Sequence, residues 1–509
     1  LIIAHFSELT NQARHFQTIG TPLVSMDRTM PQSLTGAPSF GKIRVMKDAP
    51  NPKHTDKTPA ISAPSPSSYP RPTLSRREFL RLAGLATASA ALASCDMLRA
   101  KPTARGGEKV QLVYQDWRTD WFPPMVQEML EKFHATHPNI RVFYVPDPEN
   151  LTFEKKMLED FQAGTAADVF QGCCTHFPIW AQKGYTLDLR PYVSADLDQA
   201  TIEDWDPAQY RAFFTGDGRQ YGLPKYHGAL ALYYNKDLFD QYHVDYPDGT
   251  WNHDDYLQAM KLLTHDRNGD GQTDLWGSMI EISWDRVQMY VNGWGGHFVD
   301  PADPTQCRMC EPEAMAGMEW LRARMWDDRV MATLPAVQAR GTREAFVAGR
   351  VAMAEDGSWA LKDILSGAGF RIGVVPLPAG PVRRVTLATT DGFGIYAATK
   401  HPDAAWELVK FLISQDYGRA MARANFLQPA RASLVNDWVG YIREEYPQKA
   451  KDIDIAAFAD GHIEGYSVIA EVFANMADAK RIADDAWDRI FTLGQAPIDQ
   501  MKDACRQIQ

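Results

Sequence analysis

Between residues 109 and 170, short β-rich runs alternate with amphipathic helical stretches. That alternation narrows the fold more than any other feature of the chain. Residues 109–115 read as a strand with Val110, Leu112 and Tyr114 on one face. Pro123 and Pro124 open a helix, where proline is tolerated, and Met125, Met129, Leu130 and Phe133 give it one apolar side. His137-Pro138-Asn139 stops it, and residues 140–145 form the next strand. Thr152 caps a second helix carrying Phe153, Met157, Leu158 and Phe161, and Gly164 ends it. Asp168-Val169-Phe170 is a short buried strand. Strand–helix–strand–helix–strand implies right-handed crossovers and a mostly parallel sheet. Ligands bind such sheets beyond the carboxyl ends of the strands. Asp116 and Trp117 therefore share a rim with Gln171 to His176.

The chain ahead of this pattern is of another kind. Residues 1–74 are rich in Pro, Ser and Thr, densest between Pro52 and Pro72, and poor in large apolar clusters. Such a segment cannot offset its ordering entropy by burial, so it is expected to be disordered. The sequence opens on Leu1, and Met46 is a candidate start. Residues 75–95 have the layout of a signal peptide: a basic start, a short Ala/Leu run from Leu82 to Ala93, and small residues before a cut. Ser75-Arg76-Arg77-Glu78-Phe79-Leu80 resembles a twin-arginine export signal, with Arg76 and Arg77 as its pair. Leu92-Ala93-Ser94-Cys95 resembles a lipobox, in which Cys95 is diacylated and becomes the first mature residue. Residues 96–107 then form a tether. The expected location is extracytoplasmic, in the periplasm or at the cell surface, with a lipid as the only link to the membrane.

Composition sets the remaining bounds. The 509 residues are 45% hydrophobic and 23% charged, which is ordinary for globular protein. A net charge of −11 argues against a broad nucleic-acid-binding surface. No apolar run is long enough to span a bilayer. Six cysteines are too few to build a disulfide scaffold of this size.

Several motifs after residue 108 resemble the family 1 extracellular solute-binding proteins, the sugar-binding lipoproteins of ABC importers that include maltose-binding protein. Glu128 to Phe133 followed by His137-Pro138-Asn139-Ile140 is one. Gly164-x-x-Ala167-Asp168-Val169 is another, with Ala167 where the family commonly has Pro. The most specific is Tyr221-Gly222-Leu223-Pro224 before Leu232 to Phe239; Phe346-x-x-Gly349-Arg350 before Gly357-Ser358-Trp359 is another, and Gly392-Phe393-Gly394-Ile395 before His401 to Trp406 a third. The resemblance implies an α/β, two-lobed, type II-like periplasmic-binding-protein fold, each lobe a mostly parallel sheet flanked by helices. Lobe one would take residues 108–224 plus 370–418, and lobe two residues 228–366 plus 420–509. Ligand would sit between the lobes and close them about a hinge, which requires contact with both.

A sugar needs flat rings for its C–H faces and planar hydrogen bonders for its hydroxyls. With 14 Trp the chain has rings to spare. Trp117 and Trp121 follow the first strand, the resemblance turns Trp359 toward the cleft, and Trp284 and Trp294 fall in a segment that often lines the family's site. Tyr226 and His227 lie on the crossover, and Tyr466 is placed at the start of a C-terminal helix. Each tryptophan has an alternative as a core or surface ring. Asp116, Asp391 and Arg431 are the candidates for hydroxyls; Asp391 can equally cap a turn, and Arg431 can pin a loop. Asp168 is read as structural, and Thr175 and His176 as weaker candidates.

Asp266, Asn268, Asp270, Gln272 and Asp274 have the spacing of a calcium loop with Gly271 at its sixth position, but Gly277 stands where the closing Glu belongs. The alternative is an Asp/Gly-rich turn; calcium, if bound, would be structural, and no other cofactor is required. Cys307 and Cys310 can form a small clip, Cys173 and Cys174 are buried thiols or a vicinal disulfide, and Cys505 has no evident partner.

The reading of function is a lipid-anchored, monomeric, non-enzymatic receptor that hands a carbohydrate to ABC permease subunits. The same fold with a non-sugar solute, glycerol phosphate or a polyamine, is the alternative. An exported glycan-active enzyme would need two carboxylates at fixed separation, and no motif marks such a pair.

Overall fold

The computed structural model describes residues 109–147, 153–338 and 340–509, all within one compact unit, Lys101–Gln509. The N-terminal extension, Arg76, Arg77, Cys95, the tether and the Thr152 cap lie outside the described residues.

Among the described residues eleven strands make two principal sheets and one small two-stranded sheet. They are β1 (Val110–Asp116), β2 (Ile140–Pro146), β3 (Val169–Gly172), β4 (Leu223–Pro224), β5 (Leu230–Asn235), β6 (Trp276–Met279), β7 (Val351–Gly357), β8 (Ile372–Val375), β9 (Thr386–Leu387), β10 (Gly392–Ile395) and β11 (Ser467–Val468). The small sheet is β11-β9; of the principal ones, the first runs β2-β1-β3-β10-β4 and the second β6-β7-β5-β8. In each, one strand is antiparallel to both neighbours: β10 in the first, β5 in the second. Those are the two strands that enter a sheet directly from the other lobe. The rest have no antiparallel pairing among themselves, because helices carry the chain back between them.

Local chemistry supports these elements. The helix Phe122–Thr136 has its prolines in the first turn and buries Phe122, Met125, Val126, Met129, Leu130 and Phe133. Both β5 and β7 are buried along their whole length, as strands covered on two faces must be. Asn235 ends β5 and accepts hydrogen bonds from the Asp237 and Leu238 amides, starting the helix Lys236–Gln241.

One expected boundary is corrected. Strand β8 lies beyond residue 370 yet pairs with β5, so it belongs to the second lobe, and the return crossing falls between β9 and β10. Three chain segments cross side by side. They are bonded to one another by the Lys225 amide to Asp391 O (2.9 Å), the Thr389 amide to Gly228 O (2.9 Å) and the His227 amide to Gln428 O (3.0 Å). The third follows the helix Gln415–Asn425, whose Tyr417 and Met421 join the first lobe's core while Ala422 and Phe426, just past the helix end, join a core of the second.

Candidate functional site

The rim of the first lobe is built where β3 ends beside the start of β10. Asp391, just before β10, is buried and accepts a hydrogen bond from Gln171 Nε2 at 3.3 Å. Burial pushes its carboxyl up to about 7, against the pull of Lys225 and of hydrogen bonds from Gln171, Tyr226 and Thr389. Cys173 and Cys174 follow β3, and the Thr390 hydroxyl donates to Cys174 O at 3.3 Å. Tyr226, on the first crossing, is buried against Asp391, with its ring edge-on to Trp117 at 5.6 Å.

The second lobe faces this rim with Asp285, Arg286 and the turn after β7. Trp359 packs against the cores of both lobes. Two glycines make its seat: a Cβ at Gly357 would lie 2.3 Å from the ring, and one at Gly228 would lie 2.7 Å from it. The Arg286 guanidinium carbon is 6.0 Å from the Trp359 ring centroid, and Arg286 is also salt-bridged to Glu281 at 3.1 Å. Burial raises Asp285 to about 6, and it lies within electrostatic reach of Cys173 and Cys174 in the other lobe. Four side-chain atoms here are buried without a partner: Gln171 Oε1 from the first lobe, and Asp285 Oδ1, Arg286 Nε and Ser358 Oγ from the second. Farther along the interface, Gln182 Nε2 donates to Phe473 O at 2.8 Å. Beside that contact a cavity of about 450 Å³ opens between Pro178, Phe214 and Tyr221 on one side and Val472 and Phe473 on the other.

Several residues expected at the site are placed elsewhere. Asp116 is fully buried, bonded to Lys225 Nζ at 2.5 Å, to the Tyr114 hydroxyl and to the Trp117 amide. It is an internal ion pair, closed to ligand. Lys225 also sits 3.3 Å from the Trp117 ring centroid, so Trp117 is engaged on one face, and Trp121 packs edge-on to it at 6.3 Å. Trp284 is in the second lobe's core, its Nε1 donating to Glu471 O at 3.0 Å. Trp294 stacks on His253, away from the rim groups. Tyr466 precedes the short strand β11 rather than a helix, and its charged neighbours are Asp460, Arg384 and Glu464. Arg431 pins a loop: Nε donates to Ile413 O at 3.0 Å, and Nη1 lies 3.4 Å from Asp204. Asp168 accepts from the Val113 amide and the Thr399 hydroxyl.

His227 belongs to a second buried cluster. Its Nε2 is 3.1 Å from Asp206 Oδ2, and its Nδ1 is 3.3 Å from Gln428 Nε2. His462, from the second lobe's C-terminal part, reaches the same Asp206 oxygen at 3.0 Å. Burial opposes ionisation of Asp206, but hydrogen bonds from His227 and His462 outweigh it and hold the carboxyl well below its ordinary range. The hydrogen bond to Asp206 raises His462.

The calcium-type loop turns its oxygens on itself. Asp266 accepts from the Gly269 and Gly271 amides, Asn268 from Asp270, and Asp270 from Gln272. Asp274 is ion-paired with Arg267 at 2.9 Å. Among the described residues no group of three or more His, Cys, Asp or Glu is gathered for a metal. The cysteine clip is likewise corrected: Cys307 is bonded to Cys505, 198 residues away, and Cys310 is free.

Asp285, Arg286 and Ser358 were not among the residues expected from sequence, and Gln171 was placed on the rim without being named as a ligand contact. Ser358 carried a signal, since it stands between Gly357 and Trp359.

Residues 116–419, well over half of the chain, match the family of bacterial extracellular solute-binding proteins, and the chain belongs to that family. A binding protein of Brucella abortus (strain 2308) is 26% identical over 370 residues, covering 69% of this chain and 83% of its own length. The mannitol-binding protein of Pseudomonas aeruginosa is 24% identical over 337 residues, 61% of this chain and 72% of its own. Among solved structures, an ABC substrate-binding protein from Listeria monocytogenes in complex with cycloalternan superimposes with a TM-score of 0.68 at 21% identity, covering 79% of this chain and 98% of that one. UgpB from Mycobacterium tuberculosis in complex with glycerophosphocholine does so with a TM-score of 0.63 at 18% identity, covering 78% and 97%. These likenesses establish the two-lobed α/β fold. The family and these neighbours are binding proteins.

Proposed function

We propose that this protein binds a neutral polyhydroxylated solute, a sugar or sugar alcohol, between its lobes and delivers it to the permease of an ABC importer. The observation that carries this reading is the set of unpartnered buried atoms on Gln171, Asp285, Arg286 and Ser358. Buried polar groups are normally paired, and a hydroxyl can donate to the carbonyl and carboxylate oxygens and accept from the guanidinium. Trp359, seated between the lobes, offers a ring for a C–H face. Two carboxyls, Asp391 and Asp285, stand here beside the one guanidinium of Arg286, a balance that suits hydroxyl recognition better than capture of a phosphate. The mannitol-binding relative and the cycloalternan-bound neighbour are consistent with this class.

The exported, lipid-anchored state rests on the motifs ending at Cys95. Cys95→Ala should leave the protein unacylated and released from membranes, and Arg76→Lys with Arg77→Lys should block its export.

A thermal-shift screen tests the ligand class. The panel holds mannitol, tagatose and maltotriose, then glycerol 3-phosphate and glycerophosphocholine, then spermidine. At a hundredfold excess over Kd a ligand of the folded state adds about 2.7 kcal/mol, so a rise in midpoint with a neutral polyol is expected. A response only to phosphates or to spermidine would overturn the ligand class. Release of products from an oligosaccharide would overturn the binding reading itself.

A further inference from the structure

Cys173 and Cys174 lie between β3 and the helix His176–Gln182, on the rim that carries Asp391. Their sulfur atoms are 2.7 Å apart, closer than two unbonded sulfurs pack. Cys174 has φ 54°, the left-handed conformation that side chains rarely adopt. Among the described residues neither has another thiol to join. Cys307 and Cys505 are already bonded to each other, and Cys310 packs against the second lobe's core. The existing disulfide fits a chain that matures where disulfides persist.

A histidine stands beside the pair, whose Cys173 thiol is pushed well up by the hydrogen bond with Cys174 and by burial. His176 Nε2 is 3.5 Å from Cys173 Sγ and accepts from the Cys173 amide at 3.4 Å. Its Nδ1 is 3.6 Å from Glu154 Oε1. That arrangement places the ring proton on Nδ1 and makes Nε2 the acceptor of the Cys173 amide. Burial lowers His176 to about 4, so the ring is neutral near pH 7. The groups around it are Glu154, Lys480 and the two thiols.

We propose that Cys173 and Cys174 are a redox-active vicinal pair that closes into a disulfide on the ligand-facing rim of the first lobe. The location rests on the inter-lobe binding reading; the chemistry of the pair does not. The oxidant is a disulfide, of a thiol oxidase or of oxidised glutathione. The Cys173 sulfur attacks the oxidant, whose S–S bond breaks as a mixed disulfide forms, and the Cys173 proton leaves on the departing thiol. The Cys174 sulfur then gives up its proton and displaces the second thiol, forming the Cys173–Cys174 bond. Two electrons and two protons pass to the oxidant, which ends as two thiols. Closure removes two S–H groups from beside Asp391 and Tyr226 and leaves an apolar S–S face opposite Asp285.

The first test is a mass measurement on the full, unlipidated chain, equilibrated with oxidised glutathione, denatured and alkylated with iodoacetamide without reductant. Of the six cysteines, only Cys95 and Cys310 should be alkylated, and the peptide holding Cys173 and Cys174 should be two hydrogens light. Four alkylated cysteines would overturn the pair, whatever the cleft binds. A closed pair with silence across the solute panel would instead overturn the binding reading. Second, the midpoint shift given by the solute that binds should differ by at least 2 °C between the closed and the reduced protein. Equal shifts would overturn the placement on the ligand-facing rim.

Discussion

The junction between the lobes holds two kinds of buried polar cluster made from the same residue types. Around Asp206 and around Asp116 every ionisable group has its partner, though an amide oxygen, Gln428 Oε1, is left over: His227 and His462 share one carboxylate oxygen of Asp206, and Lys225 is bonded to Asp116. Around Trp359 the ionisable groups are left short: Asp285 Oδ1 and Arg286 Nε have no partner, and Asp391 and Asp285 are pushed toward their neutral forms. Closed clusters hold lobes and crossings together. An open one leaves hydrogen-bonding capacity for something the chain does not itself supply. Deleting a group from the two kinds should therefore have opposite consequences.

The largest effect is expected at Lys225, whose side chain, like that of Asp116, is fully buried. Lys225→Met leaves the Asp116 carboxylate with only the Tyr114 hydroxyl and the Trp117 amide. Stranding one member of a buried pair costs about 3–5 kcal/mol, to be read from chemical denaturation of the variant beside the wild type. A loss under about 1 kcal/mol would mean that the pair is not closed. Asp206→Asn comes next. The new amide keeps an oxygen for the Ala208 and Gln209 amides, but its NH₂ meets two imidazoles where an acceptor stood. A stability loss of about 1–3 kcal/mol is expected, with loss of the low-field proton resonance of a His462–carboxylate hydrogen bond.

The two clusters were unequally legible in the sequence. Alternation along residues 109–170 located β1, β2, β3 and the helix between the first two within a residue or two, because those elements are specified by their own periodicity. Resemblance to the binding-protein family singled out Trp359, Tyr226 and Asp391, which the structure brings to the junction. The partners were not legible, since they are set by contacts far apart in the chain. Trp284 reads like any cleft tryptophan until Glu471 O, 187 residues away, takes its N–H. Cys307 looks paired with its neighbour Cys310 until the C-terminal helix brings Cys505 to it. Asp116 sits correctly at the end of β1, yet nothing local announces that Lys225 fills the space before it.

A pH series separates the charged from the merely bonded part of the Asp206 cluster. His462 has its pKa raised in the folded state by Asp206. Its contribution is therefore fully present below its unfolded value of about 6.5 and is lost as pH rises through the raised value. Asp206 has the opposite sign: its contribution is present above its unfolded value of about 3.9 and is lost only as pH falls toward its depressed one. The stability difference between wild type and His462→Gln should thus be largest near pH 5.5 and shrink toward pH 8.5. It stays smaller than the loss in Asp206→Asn, because only one charge titrates and the hydrogen bonds remain. A difference that grows with pH would mean that His462 is held neutral, and the cluster would then be a hydrogen-bond network without an ion pair.

The smallest effect on stability is expected at Ser358, and it bears most directly on the open cluster. Its hydroxyl oxygen is buried with no partner in the folded chain, while its amide is held by Ala229 O at 3.0 Å. Ser358→Ala removes the unpaired atom and keeps the backbone bond, so the unliganded protein should change by no more than about 0.5 kcal/mol, or gain slightly. If the open cluster is where solute sits, the same change removes a hydrogen bond from the complex. That should weaken binding by about 0.5–1.5 kcal/mol, a fewfold to tenfold rise in Kd, measured by titration calorimetry with the solute the screen identifies. A variant that loses several kcal/mol without ligand would show that Ser358 is already bonded in the empty protein, and the distinction between closed and open clusters would fail at the residue where it should be clearest.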